Sequence, residues 1–333
     1  VSRHAFFCID GHTAGNPVRL IVGGAPRLNG QSMSELRADF LAHHDWIRRS
    51  LMYEPRGHDM MSGGFLYPPF DLKSDAAILF VETSGCLPMC GHGTIGMITF
   101  GLEHGLIQPR EPGRLIVEVP AGVITVAYGR EGNRVQWVRL TNVASYLAAS
   151  GVEIEVPELG PLSVDVAYGG NFYAIIEPQG AYTGLDDLGA DRIIRLSRLV
   201  RERMREAIEP VHPNDSTIRG VSHVLWADKP RGQGADARNA VFYGEKAIDR
   251  SPCGTGTSAR MAHLHAGGRL KVGDRFVHES YIGSRFIGRI EAESRVGNHA
   301  AIIPSIEGTA YATGFNQIWV DEEDPFHSGF TVT

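Results

Sequence analysis

The sequence predicts an α+β chain of two pseudo-symmetric domains, each with strands gathered around one central helix. Three observations carry that expectation. The length of 333 residues exceeds one ordinary core. One phrase, C-G-x-G-T, occurs twice, as Cys90-Gly91-His92-Gly93-Thr94 and as Cys253-Gly254-Thr255-Gly256-Thr257. Each copy follows a strand-like run, 77–81 and 239–243, and opens a segment with the composition of a buried helix.

Taken in order, strand-like runs are expected at 6–9, 19–22, 77–81, 115–119, 123–128, 135–140, 164–167, 172–176, 221–226, 240–243, 301–304 and 317–320. Forty glycines and eighteen prolines supply the turns between them. Amphipathic helices are expected at 34–51 and 196–208, where apolar residues recur near helical spacing. The segment 93–106 carries Ile95, Met97, Ile98, Phe100, Leu102 and Leu106 with little polar face, so it reads as buried nearly all round. The segment 256–270 is similar but more mixed. The charged, glycine-containing turn at 129–133 marks a domain boundary. The expected domains are therefore 1–132 with a returning segment from about 318 to 333, carrying Cys90, and 133–317, carrying Cys253.

Composition narrows the partners. A hydrophobic content of 43% and charged content of 21% fit a soluble globular protein. The formal charge of -6 argues against nucleic acid and against an anionic membrane surface. No apolar run reaches the ~18 residues of a membrane span, and the first residues lack the apolar core of a signal peptide. The expectation is a cytoplasmic enzyme acting on a small molecule. Its oligomeric state stays open, a homodimer being one expectation.

Of the four cysteines, Cys8 sits in an apolar run and reads as core. Cys90 and Cys253 differ because each stands directly before a helix. A helix N-terminus presents unpaired N–H groups and partial positive charge, which attract a carboxylate and lower the pKa of a thiol. Two such ends facing one ligand would hold its carboxylate and set a sulfur on either side of its α-carbon. One sulfur, as thiolate, would take a proton from one face; the other, as thiol, would deliver one to the opposite face.

The stretches Met89 to Gly96 and Asp249 to Ser258 resemble the signatures of the proline racemase superfamily. The resemblance extends through Asp10 to Arg19, Glu54-Pro55-Arg56-Gly57-His58 and Gly169-Gly170-Asn171-Phe172-Tyr173, and so covers essentially the whole chain. It implies a diaminopimelate-epimerase-like fold, an active site in the cleft between the domains, and cofactor-independent chemistry with no metal. By matching position, Cys90 and Cys253 carry over as the two bases. Gly91, His92, Gly254 and Thr255 carry over as carboxylate binders, and Asp249 and His223 as groups near the ring nitrogen. The run from Gly57 to Gly64 with Leu66-Tyr67-Pro68-Pro69 resembles the 4-hydroxyproline 2-epimerase branch, which interconverts trans-4-hydroxy-L-proline and cis-4-hydroxy-D-proline. Ala14 departs from that branch, which often has Cys there. Proline racemase is the alternative. A trans-3-hydroxy-L-proline dehydratase is disfavoured by Cys253, and a non-catalytic imino-acid binder by the presence of both cysteines.

Other chemistries fit less well. Cys86-x3-Cys90-x-His92 has half of a zinc spacing without a matching pair elsewhere. Pyridoxal phosphate needs a Schiff-base lysine, and none of Lys73, Lys229, Lys246 or Lys271 has a phosphate-binding context. The glycines at 91, 93 and 96 match G-x-G-x-x-G, but no acidic residue follows at the dinucleotide-binding distance. A cysteine hydrolase needs one thiol with a histidine partner, not two equivalent thiols.

Overall fold

Residues 3–180 and 182–332 are described by a computed structural model. Contacts gather the chain into two compact units, Val1–Leu140 with Glu307–Thr333, and Thr141–Ile306. The turn at 129–133 lies inside the first unit: Gly132 turns the chain at a φ of 57°, and the Trp137 indole packs over Gly129. The returning segment is longer than the apolar run 317–320 implies, because Ala310–Asp321 pairs along the full length of Arg3–Thr13.

In the first unit, Arg3–Thr13 and Asn16–Gly23 form an antiparallel hairpin. Two outer helices follow, α1 (Met33–His43) and α2 (Asp45–Met52), where the sequence suggests one helix. Ser32 caps the first through the Glu35 N–H, and the chain breaks at His44. Ser62–Tyr67 then adds parallel to Asn16–Gly23, and Ala76–Glu82 returns antiparallel. Helix α3 (Gly91–Glu103) comes next, followed by Arg114–Val119, parallel to Ala76–Glu82, and Gly122–Glu131, antiparallel to that. All residues of α3 from Gly91 to Leu102 are buried, since strands Arg3–Thr13, Asn16–Gly23, Ser62–Tyr67 and Ala310–Asp321 pack around it. On the opposite side, Phe40, Leu51 and Met52 of the outer helices close a second core over Phe65 and Leu79.

The second unit repeats this order. Gly160–Tyr168 and Phe172–Ile176 form an antiparallel pair, and α4 (Ala190–Ala207) covers the outside. His223–Asp228 adds parallel, Ala237–Tyr243 antiparallel, then α5 (Gly254–Ala266) and Arg275–Glu279, again parallel. Arg285–Val296 completes the set, antiparallel to Arg275–Glu279. Six strands and the buried helix of each unit thus follow the same order, with the same parallel and antiparallel pairings. The chain is more β-rich than α+β implies, with twenty strands and five α-helices among the described residues. No helix among those residues is long and apolar enough to cross a membrane.

Candidate active site

Both cysteines stand at the N-cap of a 13-residue buried helix, Cys90 on α3 and Cys253 on α5. The first bonds inside these helices are Thr94 N–H to Cys90 O (2.9 Å) and Thr257 N–H to Cys253 O (2.7 Å). The N–H groups of Gly91 and His92, and of Gly254 and Thr255, therefore precede the helical ladder and point out of the helix end. Gly93 and Gly256, three residues past each cysteine, make room for the sulfur. A Cβ on Gly93 would lie 2.9 Å from Cys90 Sγ, and one on Gly256 would lie 3.1 Å from Cys253 Sγ.

Around Cys90, His92 is the organising side chain. Its Nδ1 lies 3.6 Å from Cys90 Sγ. Its Nε2 is held from behind by Ser62 Oγ at 2.7 Å and Asn16 Nδ2 at 3.0 Å, while the Thr13 hydroxyl donates to its carbonyl. His92 is 4% exposed, so these contacts meet little competition from water.

Around Cys253 the partners are hydroxyls. Tyr173 OH lies 3.2 Å from Cys253 Sγ and 2.6 Å from Thr255 Oγ1, and Asn171 Nδ2 lies 3.4 Å from Thr255 Oγ1. Cys253 takes a φ of 63°, a left-handed conformation that a side chain resists at a cost of roughly 1–3 kcal/mol. Asp249 and Ser251 hold it there. The Asp249 carboxylate accepts from the Ser251 N–H and hydroxyl, and Ser251 Oγ accepts from the Cys253 N–H. Asp249 therefore orders the cap of α5, whatever else it touches. His223 sits one ring further out, opposite Tyr173 on the neighbouring parallel strand, with ring centroids 4.8 Å apart and its Nδ1 2.7 Å from Ser222 Oγ.

A helix end alone predicts a thiol of lowered pKa. For Cys253 burial outweighs it: desolvation pushes the thiol up, the Asp249 charge adds to this, and Tyr173, the Gly256 N–H and Thr255 pull the other way. Cys8 and Cys86 are pushed up to about 12 by burial, which suits inert core thiols. Among the described residues, no group of three or more His, Cys, Asp or Glu gathers as a metal-holding cluster.

The structure brings Cys90, Gly91 and His92 together in the first unit, and Cys253, Gly254, Thr255, Asp249 and His223 in the second. Sequence reasoning assigned no role to Asn16, Ser62 or Tyr173. A signal for two of the supporting residues was present as a second repeat. Gly15-Asn16 and Gly170-Asn171 both turn at a positive-φ glycine, with φ of 92° and 112°. Each asparagine then reaches the residue two past its cysteine, His92 in one unit and Thr255 in the other.

The proline racemase family model matches residues 8–331. A 4-hydroxyproline epimerase of Brucella ovis is 58% identical over 332 residues, covering 100% of both chains. The crystal structure of a hydroxyproline epimerase from Agrobacterium vitis with bound trans-4-OH-L-proline is 30% identical. It has a TM-score of 0.91 and covers 99% of this chain and 95% of that one. A phenazine biosynthesis protein of the PhzF family from Bacillus anthracis shares the fold at a TM-score of 0.58 and 15% identity, covering 96% of this chain and 99% of that one. With a family match over nearly its whole length, and with both cysteine phrases at the ends of buried helices, this chain belongs to the proline racemase family.

Proposed function

We propose that the chain is a 4-hydroxyproline 2-epimerase, a cofactor-independent isomerase interconverting trans-4-hydroxy-L-proline and cis-4-hydroxy-D-proline. The observation that carries this reading is full-length 58% identity to 4-hydroxyproline epimerases, joined to two buried cysteines at equivalent helix ends. On fold, the repeated order of six strands around one buried helix supports the diaminopimelate-epimerase-like class.

In the proposed mechanism, Cys90 and Cys253 act as a pair on one α-carbon. The thiolate form of one takes the α-proton, and the S–H of the other protonates the opposite face. Proton count is conserved, so the product leaves the enzyme with the two roles exchanged. The N–H groups of Gly91, His92, Gly254 and Thr255 bind the carboxylate and stabilise charge that moves onto it as the α-proton departs. With the Asn16 amide N–H directed at Nε2, the His92 proton sits on Nδ1, which donates toward the Cys90 sulfur. Asp249 and His223 are assigned to the ring nitrogen.

The test is incubation with trans-4-hydroxy-L-proline, with chiral chromatography of the products. Conversion to cis-4-hydroxy-D-proline, well ahead of any turnover of L-proline, supports the reading. Fast racemisation of L-proline with an inert hydroxyproline would reassign the chain to proline racemase. Loss of water from trans-3-hydroxy-L-proline would make it a dehydratase.

A further inference from the structure

The internal repeat exposes one substitution that the shared chemistry does not explain. Two residues past each supporting asparagine stand Val18 in the first unit and Tyr173 in the second. Two residues past each cysteine stand His92 and Thr255. The first unit therefore reaches its sulfur with an imidazole from the helix and has an aliphatic residue on the strand. In the second, Thr255 Oγ1 stops 3.8 Å from Cys253 Sγ, and a strand phenol closes the gap at 3.2 Å.

We propose that Tyr173 is a positioning residue for Cys253, its hydroxyl donating to the sulfur when Cys253 is thiolate and accepting from the S–H when it is thiol. In the thiolate setting donation runs one way, from Asn171 to Thr255, from Thr255 to Tyr173, and from Tyr173 to the sulfur. In the thiol setting the S–H donates to Tyr173 and Tyr173 donates to Thr255. Hydroxyl hydrogens turn and no heavy atom moves, so both protonation states fit one rigid pocket. The phenol is held for this: Tyr173 is fully buried, its ring packs on His223, and glycine at 256 leaves space where a Cβ would approach Tyr173 Cε1 to 3.2 Å. The purely structural alternative is that Tyr173 only satisfies Thr255. The inference rests on reading Cys253 as one of the two bases.

The experiment is alkylation of the full-length protein with iodoacetamide at pH 9, with rates at Cys253 and Cys90 resolved by mass spectrometry. Removing a hydrogen bond to an ionised sulfur shifts its titration by about one unit or more, so Tyr173→Phe should slow alkylation of Cys253 about tenfold. The Cys90 rate should not change. Tyr146→Phe, which deletes another buried hydroxyl of the same unit, should change neither rate. Placing 3-fluorotyrosine at 173, a stronger donor of nearly the same shape, and comparing it with the unaltered protein at pH 7.5, where the fluorophenol keeps its proton, should speed Cys253 alkylation, and it keeps the question answerable if the phenylalanine variant folds poorly. An unchanged Cys253 rate in both Tyr173 variants, or equal slowing at both cysteines, overturns the assignment. Hydroxyproline turnover by the unaltered protein is assayed separately, so a failed functional reading leaves its own signature.

Discussion

Gly93→Ala tests in isolation the packing at Cys90, the sulfur proposed as one of the two bases. A Cβ at 93 would sit 2.9 Å from Cys90 Sγ and 3.4 Å from Cys90 Cβ, where ordinary contacts begin at about 3.5 Å. The sulfur must therefore retreat by roughly 0.6–1 Å. On stability two effects oppose each other: alanine gains about 1 kcal/mol of helix propensity over glycine, and overpacking costs about 1–3 kcal/mol. The net loss is at most about 2 kcal/mol, so the protein stays folded. On catalysis nothing offsets the shift, because a reacting group misplaced by about 1 Å costs about 10²-fold. The assays are α-proton exchange followed by NMR in deuterated water, and thermal unfolding of the same sample. Gly267→Ala, at the far end of α5 with no neighbour closer than 3.5 Å to the new Cβ, is the control and should keep full exchange. Full activity in Gly93→Ala together with a raised Tm would refute the claim that this glycine exists to seat the sulfur.

Changing either Cys90 or Cys253 to Ser should cut epimerisation by at least about 10³-fold, since groups acting as a unit fail together; Cys86→Ser, at an inert core thiol, should cost less than twofold, and the reverse ranking would move the chemistry elsewhere. His278 is fully buried and its pKa is lowered to about 3, chiefly by desolvation with the Arg260 charge adding to it. Its folded value lies below the ordinary 6.5, so its contribution to stability is complete above pH 6.5 and is lost as pH falls toward 3. Between pH 7.5 and pH 5 that loss is about 2 kcal/mol; urea unfolding of His278→Gln at both pH values should show it removed, and an unchanged pH sensitivity would contradict the assignment. Arg19 is buried, pairs with both Asp10 oxygens, and donates to the carbonyls of Leu51 and Arg56. Arg19→Leu should destabilise the first unit by about 3 kcal/mol in denaturant titrations; a loss below about 1 kcal/mol would show that the network carries little.

Much of the architecture was legible because burial is written locally. The runs 77–81, 172–176 and 240–243 are apolar throughout and lie in strands with every residue buried. The helices after the cysteines were expected to open at 93 and 256, but begin at Gly91 and Gly254, immediately past each sulfur. Glycine's poor propensity hid those first turns, which tertiary packing enforces. The strand Arg285–Val296 was missed because charges alternate along it: one face is buried at Phe286, Gly288 and Ile290 and the other is wet. The placement of the two cysteines at helix ends is legible through repetition. Their supports are not, because His92 meets Ser62 across 30 residues and Cys253 meets Tyr173 across 80. Such pairings follow from strand register, which periodicity does not specify. The upward shift at Cys253 is not legible for a related reason: a helix end is visible in sequence, whereas burial of the sulfur by distant strands is not.

Whether two sulfurs serve one α-carbon is decided by following the isotope in both pools at low conversion. Trans-4-hydroxy-L-proline is incubated in deuterated water, and product and recovered starting material are separated and weighed by mass spectrometry. With a separate sulfur serving each face, the cis-4-hydroxy-D-proline carries one α-deuteron while the recovered starting material stays unlabelled. Starting material labelled as fast as product would mean one base serving both faces, and would contradict the account.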